Sequence, residues 1–301
     1  MRRAKIASAH ARLSKGDIVM SASLEHLREW IGRKERRTDV AAAWPVAALA
    51  ATLDRRDPQP VTGGAIPPGW HWLYFLETTP ASELGADGHA KRGGFLPPVA
   101  LPRRMWAGGR IEFRHALKAG EALERESEVV SVEPKQGKSG SLVFVTVRHT
   151  VACAGETAVI EEHDIVYRDA AKRGEPPPHG KPAPQHAAWR RELVAGPVML
   201  FRFSALIFNA HRIHYDIDYC REEEHYPGLV VHGPLQTILL LDLCRRNEAR
   251  PVRRLDYRAL YPVFHTERFT VNGEPSVDGS KVELWTANAA GNCAMAGTAY
   301  F

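Results

Sequence analysis

Apolar positions along this chain recur first at helical spacing and later at strand spacing, and that change repeats. From Ser23, a reasonable N-cap, Leu24, Leu27, Trp30 and Ile31 return every three to four residues with Glu25 and Glu29 early, which predicts a helix. Gly32 and the charged patch 33–37 interrupt it. A second helix is predicted over 40–53, Ala-rich and apolar, with Asp39 near its N-terminus; it is either the central helix of a first folded unit or a packing helix. Turn residues fill 57–69. Residues 70–77, WHWLYFLE, are aromatic and β-prone. A Gly- and Pro-rich stretch follows to Gly109, carrying Arg103 and Arg104 beside Phe95 and Trp106. Such paired arginines either face a phosphate or an acyl chain or lie on a surface loop. Strand patterns then cover 110–114, 122–132, 142–151 and 158–167, with turns at Ala119-Gly120 and 136–141.

Residues 169–188 are polar and Pro-rich, as in an extended linker, and divide a first half (21–168) from a second (189–301). The second half opens with mixed material over 189–199. It then runs through a histidine-rich window to Pro234, a residue favoured at the first turn of a helix. That helix is apolar on nearly all sides from Ile238 to Leu243, a pattern expected only where other structure wraps it. Strand patterns follow at 253–261, 265–271 and 282–288, with a tight turn predicted at Asn272-Gly273. Helical material before antiparallel strands, twice over, indicates an α+β fold with helix layered on sheet.

Composition narrows the functional classes. The 301 residues suffice for two domains, and no stretch of about 18 apolar residues is present to span a membrane. A net charge of +5 is spread along the chain, and no nucleic-acid-binding module is recognisable, so neither nucleic acid nor membrane is an expected partner. Four scattered cysteines lack metal or disulfide spacing and read as reduced thiols in a cytoplasmic, bacterial-type compartment. Residues 1–20 form a basic extension. Segment 1–19, with Asp17 its one acid, is either a transit peptide, which would make the location mitochondrial, or an extended reading frame. Glu161, Glu162, His163 and Asp164 tempt a metal reading, but strand alternation sends them to opposite faces, so no metal is expected.

Candidate chemistry concentrates in 201–235, FRFSALIFNAHRIHYDIDYCREEEHYPGLVVHGPL. His211, His214, His232, Asp216 and Asp218 precede or flank a helix entrance. First-turn N–H groups have no partner inside a helix, and Gly233 lets another group approach them. The combination offers a proton-transfer group and an oxyanion site. The plain alternative is a tight loop whose histidines satisfy buried partners.

This window resembles the motif of MaoC-like (R)-specific hydratases and dehydratases, Asp-x-Asn-Pro-x-His-x-Asp followed by His-Gly at the central helix. His214, Asp216 and His232-Gly233 match; Asn209 stands where that family has its catalytic Asp, and His211-Arg212 replace Asn-Pro. The variant FNxHRIHYD with YPGLVVHGPL resembles the branch of mitochondrial-type 3-hydroxyacyl-thioester dehydratases and mesaconyl-C4-CoA hydratases. The similarity extends over 21–301 and includes GGFLPP (93–98) and LPRRMWAGG (101–109). It implies a tandem (double) hot dog with a degenerate first half, no cofactor, and one active site per chain. The implied activity is addition or removal of water across the α,β double bond of an acyl-CoA, with acyl carrier protein the less favoured carrier.

In that reading His214 is the acid/base group, Asn209 holds the water, and Gly233 N–H receives the enolate oxygen. His211 and Arg212 border the substrate, Arg212 meeting a second acyl carboxylate, solvent, or an Asp such as Asp216 or Asp218. His232 adjoins the substrate and fixes the turn. Asn209 cannot ionise, so either His214 carries both proton steps or His211 or Asp216 supplies the second. A non-catalytic acyl-thioester binder or assembly subunit is the alternative. A homodimer is expected on general grounds.

Overall fold

The computed structural model describes residues 25–137, 140–170 and 180–301. The described residues form one antiparallel sheet of ten strands: β1 (Lys34–Val40), β2 (Arg103–Phe113), β3 (Ala122–Gly137), β4 (Gly140–Cys153), β5 (Glu156–Arg168), β6 (Trp189–Leu193), β7 (Arg254–Ala259), β8 (Phe269–Pro275), β9 (Lys281–Ala287) and β10 (Cys293–Tyr300). Their order is β1-β3-β4-β5-β2-β7-β10-β9-β8-β6. Each half therefore places its first strand at the outer edge and its second at the seam. One topology is used twice and joined through β2 and β7.

The seam depends on glycine. Gly108 and Gly109 of β2 lie between β5 and β7. A Cβ on Gly108 would sit 2.4 Å from Tyr257 O, and one on Gly109 2.6 Å from Glu162 O. No larger residue fits at either position without moving a neighbouring strand.

Among the described residues four α-helices accompany the sheet: α1 (Ala43–Thr52), α2 (Pro197–Leu206), α3 (Ile217–Glu222) and α4 (Gly233–Asn247). The wrapped helix expected from Pro234 is α4, with Leu235 through Cys244 all buried. It packs on β6, β8, β9 and β10. Its one buried acid, Asp242, pairs with Arg55 of the first half and with Arg191 and Arg246 at 3.1 and 2.7 Å. A buried carboxylate needs such partners, and here Arg55 ties the two halves together. α1 packs on α2, the packing-helix alternative.

Several sequence expectations are corrected. The helix expected from Ser23 begins outside the described residues; its described part is a single 3-10 turn, His26–Trp30. The charged patch after it is strand β1, in which Lys34 and Arg36 meet Glu126 of β3 at 2.9 Å. Cross-strand ion pairs support a strand whose sequence shows no apolar alternation. The second half thus opens with a strand, β6, not a helix. Residues 70–73 form a 3-10 turn, not a strand, because Trp70, His71 and Leu73 all point into the core. Asn272-Gly273 lies inside β8, and the turn falls at 276–280. Gly273 is needed there because the Trp189 ring lies 3.1 Å from its Cβ position. Residues 1–20 lie outside the described residues, as do 171–179 of the expected linker. Beyond them, Ala183 is buried and bonded to Gly291 O, so the linker's end docks on the second half.

Candidate active site

The histidine window folds as a sequence of short constraints. α2 ends at Leu206; Phe208 takes a left-handed φ of 49°, and Asn209 N–H returns to Ser204 O. Asn209 Oδ1 accepts the backbone N–H of His211 at 2.9 Å, so this side chain shapes the loop. A 3-10 turn, Arg212–His214, follows. Asp216 caps α3 by accepting Tyr219 N–H at 3.0 Å. The chain returns through Val230, whose N–H bonds Ile213 O, and reaches α4 with His232 as N-cap and Pro234 in its first turn.

His214 is buried, and its Nδ1 lies 2.7 Å from Val230 O. A carbonyl only accepts, so Nδ1 carries the hydrogen and Nε2 presents a lone pair. Burial, with the His89 charge adding to it, pulls the His214 pKa down to about 4 against the Val230 hydrogen bond. The imidazole is therefore neutral at neutral pH, as a general base requires. His232 stacks on it at 3.6 Å and bonds Ser204 Oγ through Nε2 at 2.8 Å. His232 is fully buried, and burial holds it well below the usual histidine range.

Gly233 opens α4 beside this pair, under the ring of Trp106 from β2 at 3.6 Å from the Cβ position. Trp106 is itself held by Tyr257 OH at 3.2 Å and by stacking on His163 at 3.7 Å. The first half thus covers the helix entrance of the second.

A second contribution from the first half is the loop 85–89, Gly-Ala-Asp-Gly-His. Asp87 O accepts Arg212 N–H at 2.9 Å, and Ala86 O accepts Arg212 Nη1 at 3.1 Å. His89 lies with its ring 4.0 Å from that of His211, which is 5.5 Å from His214. His89 Nδ1 meets Asp87 Oδ2 at 2.9 Å. Burial raises the Asp87 carboxyl, but the hydrogen bonds and charge of His89 outweigh it and leave it ionised. Burial lowers His211 to about 2, with His89 and His214 adding to the effect. Asp87, His89 and His211 offer donor atoms within 4.8 Å of one another. The Asp87–His89 contact holds a proton between the two side chains, so these two read as a hydrogen-bonded pair against which the His211 ring packs.

The structure gathers His211, His214, His232, Asn209 and Gly233 as expected from the motif. It places Arg212 on Asp216 at 2.7 Å and over the Tyr219 ring, the Asp pairing among its expected alternatives. Of the paired arginines, Arg103 meets Glu224 at 2.9 Å, whereas Arg104 has no ion pair among the described residues. Arg104 is half-buried on β2 and acts electrostatically on His89, His163, Tyr167 and His211. Glu162 and Asp164 meet Arg110, while Glu161 on the opposite face meets His71 and Trp72, as the alternation required. Asp87 and His89 went unread because they sit in a loop with no motif, more than a hundred residues from their partners; Asp-Gly-His was the one local signal.

Solved structures with this architecture include HtdX of Mycobacterium tuberculosis (TM-score 0.63, 14% identity, 89% of this chain and 98% of that one) and a Mycobacterium tuberculosis protein with a double hotdog fold (TM-score 0.57, 13% identity, 90% and 96%). The fold is the α+β double hot dog. Two relatives are closer in sequence. Mesaconyl-C(4)-CoA hydratase of Chloroflexus aurantiacus is 44% identical over 272 residues, 89% of this chain and 95% of that protein. The mitochondrial hydroxyacyl-thioester dehydratase type 2 of Schizosaccharomyces pombe is 30% identical over 258 residues, covering 75% and 85%. The family model for hydroxyacyl-thioester dehydratase type 2 matches residues 69–265. The chain belongs to that family, and as a member it is a hydro-lyase.

Proposed function

We propose that this enzyme hydrates a short dicarboxylic enoyl-CoA of the mesaconyl-C4-CoA type. The observation that carries the reading is the neutral, buried His214 with its Nε2 lone pair beside the open N-terminus of α4. Nε2 accepts a hydrogen from water and raises the nucleophilicity of its oxygen, which bonds to Cβ. The C=C pair moves toward the thioester, and the enolate oxygen that develops is held by Gly233 N–H at the positive end of the helix. A proton is then returned to Cα. Asn209 keeps its Nδ2 group for the water while its Oδ1 shapes the loop.

The dicarboxylic preference draws on the 44% identical hydratase and on Arg104. In mesaconyl-C4-CoA the free carboxylate is attached to Cβ, one bond from the carbon that receives water. Its partner must therefore stand beside the histidines. Arg104 does so and carries no carboxylate of its own among the described residues, whereas Arg212 is engaged by Asp216.

Exposed Trp44 on α1 and Val198 and Phe201 on the adjoining α2 offer an apolar face for a second copy, which supports a homodimer measurable by light scattering. Loss of enoyl-thioester absorbance on a panel of mesaconyl-C4-CoA, itaconyl-CoA, crotonyl-CoA and a longer enoyl-CoA tests the substrate. The expected rank puts mesaconyl-C4-CoA first; preference for the longer monocarboxylic ester overturns the substrate assignment.

A further inference from the structure

We propose that the Asp87–His89 pair, supplied by the N-terminal half, carries the proton between water and Cα in place of the carboxylate absent at position 209, while His214 holds and orients the water. The inference rests on the hydro-lyase reading of His214 and assigns the proton that moves between water and Cα.

His214 lacks a counter-ion. Behind its Nδ1 stands a neutral carbonyl, Val230 O, so an imidazolium formed there is buried without a balancing charge. Asp216, the other acid of the motif, is bonded to Arg212 and caps α3. Asp87 is differently placed. Its Oδ2 takes the Nδ1 hydrogen of His89, which leaves the His89 Nε2 lone pair free to accept. A carboxylate in that position both orients an imidazole and stabilises its cation.

The loop is built to hold this geometry. His89 N–H donates to Asp87 Oδ1 at 3.0 Å, Gly85 N–H to His89 O at 2.7 Å, and Gly88 N–H to Gly85 O at 3.0 Å. Gly88 has a φ of 89°, and a Cβ there would lie 1.9 Å from Ala210 O. The loop is thus pressed directly on the backbone that leads to His211 and His214.

In hydration, the His89 Nε2 lone pair takes one proton from water as the oxygen forms its bond to Cβ. The C=C pair shifts to make the enolate held at Gly233, while His214 Nε2 keeps the second water hydrogen as its hydrogen bond. The His89 imidazolium, balanced by Asp87, then gives its proton to Cα as the enolate electron pair forms the C–H bond. One water is added, His89 ends neutral, and dehydration is the same path reversed.

The test uses the full chain with mesaconyl-C4-CoA and crotonyl-CoA, comparing wild type with His89→Gly, His89→Gln and Asp87→Asn. General acid–base catalysis contributes about 10²–10⁴-fold, so His89→Gly and His89→Gln should lose that much kcat with KM nearly unchanged. Free imidazole should restore His89→Gly. His89 must be neutral to accept, so kcat falls as pH drops through its pKa. Asp87, Arg92, Arg104, His211 and His214 are the charged or titratable groups facing it. Removing the carboxylate in Asp87→Asn should move that acid limb to lower pH. Wild-type turnover that persists in both His89 variants, or a loss that imidazole does not restore with an unmoved pH limb in Asp87→Asn, overturns the inference alone. Absence of turnover in wild type on either substrate removes the hydro-lyase reading with it. Activity lost on dialysis against EDTA and regained with zinc would also overturn it, by assigning the trio to a cation.

Discussion

The His214 and His232 rings lie 3.6 Å apart and within 19° of parallel, yet each is bonded elsewhere: His214 to Val230 O and His232 to Ser204 Oγ. Two stacked, buried imidazoles repel if both are charged, so this packing favours the neutral forms. The helix entrance is thereby supplied with a lone pair at Nε2.

The same feature sets an acid limit on stability. His214 and His163 fall to about 4 and His149 to about 3, burial being the largest cause in each. Folded-state values below the unfolded value of about 6.5 mean that the unfolded chain binds more protons between those limits. Stability from these groups is complete above about pH 6.5 and is lost as pH falls toward 4. Melting temperature should therefore drop steadily over that window. A flat profile would show that these histidines are not held neutral.

Arg104 and Arg212 should separate by substrate. Arg104→Ala removes a charge-assisted contact of about 1.5–3 kcal/mol, so kcat/KM for mesaconyl-C4-CoA should fall roughly 10- to 100-fold and that for crotonyl-CoA much less. Arg212→Ala breaks the Asp216 pair and should affect both substrates alike. Equal losses for Arg104→Ala would remove the carboxylate role.

Gly88→Ala tests the docking of the first half on the catalytic loop. Its Cβ meets Ala210 O in a left-handed backbone, so the loop must withdraw. A displacement of about 1 Å in a catalytic group can cost about 100-fold. A loss of that order is expected in kcat, with circular dichroism still that of the folded chain. Unchanged kcat would mean that the 85–89 loop does not serve the reaction.

Much of this was legible in the sequence for a physical reason: Ile238–Leu243 cannot be apolar on nearly all sides unless wrapped, and β4 is a long β-branched run. Strand β1 was not legible, because KERRTDV is stabilised by charges on β3 that local pattern cannot reveal. The aromatic run at Trp70 mimicked a strand since burial, not alternation, selected it, and Asn272-Gly273 mimicked a turn because Trp189 demanded a glycine. In the site, His214 and Gly233 announce themselves by spacing. Asp87 and His89 do not, since what unites them with His211 is the joining of two halves distant in sequence.

The most direct measurement is the decay of enoyl-thioester absorbance with mesaconyl-C4-CoA, wild type against His214→Ala, alongside binding of the same ester. Rapid decay in wild type, reduced about 10²–10⁴-fold in the variant with binding retained, is the expected result. Wild-type protein that binds the ester and leaves its absorbance unchanged would contradict the enzyme and leave a thioester-binding protein.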